Sequence, residues 1–136
     1  METGDGEQGT GNRELRKGSD IAGRLMDLAV EVLAVASQLP TTFAGRHVAS
    51  QLVRAATSAG ANYEEVRAAE SRADFAHKLR IAAKEARESA YWLELAHRTQ
   101  LAPPASAEAL QRLFGEASQL TAILVASAPT ARQGRV

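Results

Sequence analysis

Two stretches of this chain carry an acid and an imidazole at a spacing that metal centres use. Glu94-Leu-Ala-His97 has the Glu-x-x-His pattern of di-iron helical bundles, and Asp74-Phe-Ala-His77 imitates it with the shorter acid. Such a centre needs its motifs on two different helices and a bridging acid from each of the other two. Both motifs fall on one predicted helix, so no metal site is assigned. His47 has no second histidine at ligand spacing and reads as a solvated group. Ser58 and Ser89 stand inside predicted helices without a nearby base, an oxyanion donor arrangement or a Gly-x-Ser-x-Gly turn. There is no Gly-x-x-x-x-Gly-Lys loop for a nucleotide phosphate, and the N-terminal glycines precede no strand. The chain has no cysteine, which removes thiol catalysis, disulfides and cysteine-based zinc sites. The expectation is a protein that is not an enzyme and has no catalytic residue, no metal and no cofactor.

The remaining polar chemistry is that of pairing and binding. Gln51, Arg54, Ser58, Asn62 and Glu65 occupy a narrow sector of one predicted helix, bordering its apolar face, and Glu85 and Glu88 stand on the next. They predict an interhelical polar network in which Arg54 meets Glu85 or Glu88, while Ser58 and Asn62 satisfy backbone or acid oxygens. Arginine suits a partly buried pair because its fork can hold a carboxylate through two bonds. Fixing register and partner choice is the structural role of such a network; a ligand site is the alternative.

Arg80, Lys84, Arg87, Tyr91 and Arg98 recur three, four or seven residues apart and align on one helix face, with His77 extending the row. This stripe is the candidate nucleic-acid contact, with Tyr91 available for stacking, or else a solvated face compensated by Glu94. Repetition of a modest patch by every subunit of a ring would raise its avidity for RNA without new contacts. Ile81, Trp92 and Leu95 form a second apolar strip on the same helix, which either flanks the core or buries against another subunit.

Four helices are needed to position these groups. Residues 1–19 are rich in glycine and charge and predict a disordered tail. Asp20 is the expected N-cap of a first helix over 20–39, with its seam at Ile21, Leu25, Leu28, Val32, Val35 and Leu39. Met26, Val30 and Leu33 lie off that seam and call for a second neighbour, inside the bundle or in another subunit. Thr41 and Thr42 introduce a helix over 43–69 whose core face is Val48, Leu52, Ala55, Ala59, Tyr63 and Val66. Gly60 within it costs roughly 1 kcal/mol of helix propensity relative to alanine, which points to a close backbone approach. Ser71 and Asp74 make a capping box for a helix over 72–101, with Phe75, Leu79, Ala82, Ala86, Ala90 and Leu93 inward. After the Pro103-Pro104 stop, Ser106 introduces a helix over 106–127 with its seam at Leu110, Leu113, Ala117, Leu120 and Leu124, and residues 128–136 read as a flexible tail. Short connections between the four make antiparallel neighbours, hence an all-α, up-down-up-down four-helix bundle.

Composition agrees. The 136 residues suffice for one modest core, and with 45% hydrophobic but only 4% aromatic residues that core is built from Ala, Leu and Val. Sixteen basic and sixteen acidic residues cancel, so attraction to phosphate polymers has to come from a local patch. With no signal-like apolar segment and no apolar run approaching about 18 residues, a cytoplasmic protein that enters no membrane is expected.

The blocks QLVRAATSAGANYEE, ESRADFAHKL and KEARESAYWLEL resemble those of the bacterial four-helix bundle proteins of the ribosomal RNA intervening-sequence family. The likeness runs from about Asp20 through Leu101, and the fourth helix agrees in pattern. The resemblance implies a ring-like homopentamer. Some relatives are encoded inside intervening sequences of 23S ribosomal RNA genes and others by free-standing genes. A distant relative, the accessory protein of diversity-generating retroelements, has the bundle in pentameric form, binds nucleic acid and partners a reverse transcriptase. Arg54, Ser58, Asn62, Glu65, Lys84, Glu85, Glu88, Tyr91 and Trp92 stand at positions matching the family blocks. Unlike the retroelement relative, this chain is neutral overall. The expected function is a homo-oligomeric scaffold or adaptor, with an RNA-binding module as the alternative and RNA or a nucleic-acid enzyme as partner.

Overall fold

The computed structural model describes the backbone of residues 10–133 and the side chains of residues 20–128. Its described residues form four α-helices, α1 (Thr10–Ala36), α2 (Phe43–Arg67), α3 (Arg72–Arg98) and α4 (Ala107–Gln133), with a 3-10 turn, Pro104–Ser106, before the last. The seams fold inward as their spacing requires: Leu25, Leu28 and Val32 of α1, Leu52 of α2, Leu79 and Leu93 of α3, and Leu110, Leu113, Leu120 and Leu124 of α4 are almost wholly buried. Alanine fills the space between them. Ala82, Ala86 and Ala96 on α3 and Ala55, Ala56 and Ala59 on α2 are buried, which lets neighbouring backbones approach closely.

The helices touch in chain order, and α4 closes back on α1. Their directions follow from the ion pairs. Arg24 of α1 meets Glu116 of α4, and Glu31, further along α1, meets Arg112, earlier on α4. Arg54 of α2 meets Glu85 and Glu88 of α3, whereas Glu65, further along α2, meets Lys78. Both pairs of helices are therefore antiparallel.

Several boundaries differ from the sequence reading. α1 begins at Thr10, so Asp20 lies within the helix and caps nothing; the good helix formers Arg13, Glu14, Leu15, Arg16 and Lys17 carry it upstream. It ends at Ala36 because Gln38 and Leu39 donate to carbonyls three residues back, Val35 and Ala36, tightening the last turn. α4 runs on through Pro129 to Gln133. The other residues of the two expected tails, 1–9 and 134–136, lie outside the described residues. At the start of α2 the Thr42 hydroxyl accepts from the Gly45 amide at 3.1 Å, and at the start of α3 Ser71 accepts from the Asp74 amide at 3.0 Å. Asp74 reaches back to the Glu70 amide at 3.4 Å rather than to that of Ser71. Phe75 is not a core residue; Ala76 takes the inward position in that first turn.

α3 stops three residues before the expected Leu101. The Leu101 amide bonds back to the Ala96 carbonyl at 3.1 Å and the Gln100 amide to that of His97 at 3.1 Å, while Gln100 takes φ 54°. This is the Schellman arrangement, with glutamine in the left-handed position that glycine usually fills. Two glycines of α2 have opposite environments. A methyl group on Gly60 would lie 3.7 Å from the Leu25 Cβ, an ordinary contact, so the helices approach no closer there than alanine permits. At Gly45 an added Cβ would fall 2.0 Å from the Pro40 carbonyl oxygen, and no larger residue fits.

Candidate functional site

The polar chemistry concentrates where α2 and α3 face each other. Arg54 projects from α2 onto two acids that stand one turn apart on α3. Its Nη1 donates to Glu85 Oε1 at 3.1 Å, its Nη2 to Glu88, and its Nε to Gln51 Oε1 at 3.3 Å. Glu88 also accepts from the Trp92 indole N–H at 3.2 Å. That bond is the largest influence holding the Glu88 carboxyl below its usual value; Arg54 adds a hydrogen bond and its charge, and partial burial opposes them. His47 and Tyr91 pack edge-on against the Trp92 ring at 5.6 and 5.0 Å between centroids. An arginine fork, two acids, an amide and an aromatic edge form one connected cluster on the rim of the bundle.

Not all of the predicted row joins it. Asn62 donates its amide to the Ser58 backbone carbonyl at 2.9 Å, a local bond within α2. Glu65 lies eleven residues beyond Arg54, about 16 Å along the helix, and meets Lys78 at 3.6 Å, which also contacts Asp74 at 3.4 Å. The network is thus two clusters. Ser89 is fully buried and donates its hydroxyl to the Glu85 carbonyl at 3.0 Å, so it is a satisfied core group. Among the described residues, no group of three or more His, Cys, Asp or Glu side chains could hold a metal ion. His97 contacts the Gln111 amide at 3.0 Å, and Glu94 pairs with Arg98 at 3.7 Å.

The predicted stripe on α3 is a solvent face. His77, Arg80, Lys84, Arg87, Tyr91 and Arg98 are all exposed. Among the described side chains, seven of the eleven Lys and Arg residues hold a carboxylate or a carbonyl. The four that do not are Arg72, Arg80, Lys84 and Arg87, all on α3. Of the second apolar strip, Ile81, Trp92 and Leu95 are each half-buried, and Trp92 and Leu95 pack against the core. A more exposed row lies on α1, where Met26, Val30 and Leu33 stand 63%, 57% and 49% exposed.

The α1–α4 closure carries pairs that the sequence reading missed. Arg24 holds Glu116 by two bonds, Nε to Oε2 at 2.9 Å and Nη2 to Oε1 at 2.8 Å, and reaches Gln119 at 2.6 Å. Arg112 meets Glu31 at 2.8 Å. The spacing of Glu116 and Gln119, three apart on a predicted helix, is the one signal that could have marked them. Among the described residues, no helix is long and apolar enough to cross a membrane.

A family model described as 23S rRNA-intervening sequence protein matches residues 17–124, which extends the likeness into α4. Among solved structures, a protein of unknown function from the S23 ribosomal protein family of Bacteroides thetaiotaomicron superposes with a TM-score of 0.72 at 31% identity. The match covers 83% of this chain and 98% of that one. No curated protein matches the chain.

Proposed function

Since the chain belongs to the 23S rRNA-intervening sequence protein family, we propose that it works as a non-enzymatic helical scaffold that assembles with copies of itself. The pentameric ring that the resemblance implies is the form expected, acting in the cytoplasm. The observation that carries this reading is the row Met26, Val30 and Leu33, three large apolar side chains left outside a core that is already closed. Contiguous apolar surface of this kind on a small soluble chain marks a contact with another molecule. Native mass measured by light scattering on the full chain tests it. A closed multiple of 14.5 kDa supports the scaffold, and a single copy at high concentration refutes it.

A second reading, RNA binding, is favoured by one observation: among the described side chains, the four cations that hold no carboxylate or carbonyl by a hydrogen bond or ion pair all lie on α3, three of them on one face beside Tyr91. Retention of structured RNA in a gel at low salt, lost in Arg80→Glu with Lys84→Glu, is the expected result. Equal retention by that variant would end the reading.

A further inference from the structure

We propose that α1 of one copy docks lengthwise on α3 of the next, the two helices running in the same direction. This rests on the scaffold reading and names the surfaces it uses. On a wheel of 100° per residue, Met26, Val30 and Leu33 make the outward row of α1. Asp20 and Asp27, both exposed and, among the described side chains, without an ion pair, follow the flank of that row nearer α4, the flank from which Arg24 and Glu31 reach α4. On α3, the strip Ile81, Trp92 and Leu95 lies toward α2, on the side from which Glu85 and Glu88 reach Arg54. Arg80, Lys84 and Arg87 lie outside that strip, toward α4. Both helices therefore carry apolar groups on the α2 side and charge on the α4 side, negative on α1 and positive on α3.

Two copies standing side by side, axes parallel and α2 turned the same way, bring apolar row to apolar strip and acid to base. The spacing agrees. Asp20 and Asp27 are seven residues apart, as are Arg80 and Arg87, about 10 Å in each case. With Asp20 level with Arg80 and Asp27 with Arg87, Val30 and Leu33 come level with Tyr91, Trp92 and Leu95. A spacing match of this kind selects a second copy over a phosphate chain, which would need no acids opposite. The two contacting surfaces are different, so the contact is heterologous and repeats around a closed ring or along a filament. Because both apolar strips lean toward α2, each copy turns the same way and the ring closes. It sets the outer face of α2, with Phe43, Ser50, Thr57 and Ala61 flanked by Arg46 and Glu64, toward the axis.

Native mass and crosslinking of the full chain test this. Val30→Glu and Asp27→Arg are each expected to reduce the oligomer to a 14.5 kDa species that keeps its helical circular dichroism, and adding Arg87→Asp to Asp27→Arg is expected to restore the oligomer. Because the chain has no cysteine, Val30→Cys with Tyr91→Cys should give a ladder of bis-maleimide adducts, and Val30→Cys alone none. An oligomer that persists in Val30→Glu and Asp27→Arg overturns this contact and leaves the scaffold standing. Crosslinking by Val30→Cys alone means a two-fold contact and also overturns it. RNA retention that needs Arg80 and Arg87, in a variant whose mass is unchanged, assigns the cations to phosphate instead. A wild-type chain that stays single overturns the scaffold and the contact together.

Discussion

Arg24 and Glu116 join the first helix to the last through two parallel bonds of 2.9 and 2.8 Å, although 92 residues separate them in the chain. Together with Arg112 and Glu31 they cross the interface where adjoining helices of the bundle approach each other least closely. Each partner is about one-third exposed, so solvent screening limits the Arg24–Glu116 pair to about 1 kcal/mol. Arg24→Ala is expected to lower stability by about that amount in denaturant titration. Amide exchange should speed up in α1 ahead of α2 and α3. Uniform acceleration across all four helices would refute a local role.

Acid should expose two carboxylates in particular. The usual value for both is near 4.5, and both are lowered in the fold, Glu88 first by the Trp92 N–H and then by Arg54, Glu116 first by the Arg24 hydrogen bond. A carboxylate lowered in the fold stabilises it above the unfolded value, and this contribution disappears as pH falls through the folded value. The melting temperature should therefore fall below pH 4.5, with Trp92 emission shifting to the red as Glu88 releases the indole. Glu88→Gln with Glu116→Gln is expected to flatten that acid limb. An unchanged slope in the double variant would remove the assignment.

Gly60→Ala should stabilise by about 0.5–1 kcal/mol, a few degrees in melting temperature, because the helix gains propensity and the methyl finds ordinary contact with Leu25. Gly45→Ala should do the reverse, costing roughly 2 kcal/mol or more, since its Cβ collides with the Pro40 carbonyl. If the two melts moved in the same direction, the α1–α2 corner would be wrong.

Gln100→Gly should stabilise by about 1 kcal/mol, because a side chain in the left-handed region carries a steric cost that glycine lacks. Thermal melts of the two proteins check this, and a destabilised glycine variant would contradict the observed φ.

The leucine seams of α1 and α4 were legible in the sequence because three- and four-residue steps leave only one face to bury. Arg54 with Glu85 and Glu88 was legible for a related reason: a short connection fixes α2 against α3, so the offset between them can be counted. Arg24 with Glu116 was not. Their meeting depends on closure between the two ends of the chain, and neither residue is distinctive alone. Gly45 and Gln100 escaped because their constraints come from a carbonyl folding back and from a turn without glycine. The upstream start of α1 escaped because glycine and charge point to a tail although the run from Arg13 to Lys17 favours helix.

The thin junction between α1 and α4 has a consequence for handling the protein. The helix held most lightly by its own chain is also the one that offers Met26, Val30 and Leu33 to the outside. A neighbour seated there would act as a splint. Dilution should then behave as a mild denaturant, lowering the melting temperature tenfold step by tenfold step, and a purified stock should be most robust when most concentrated.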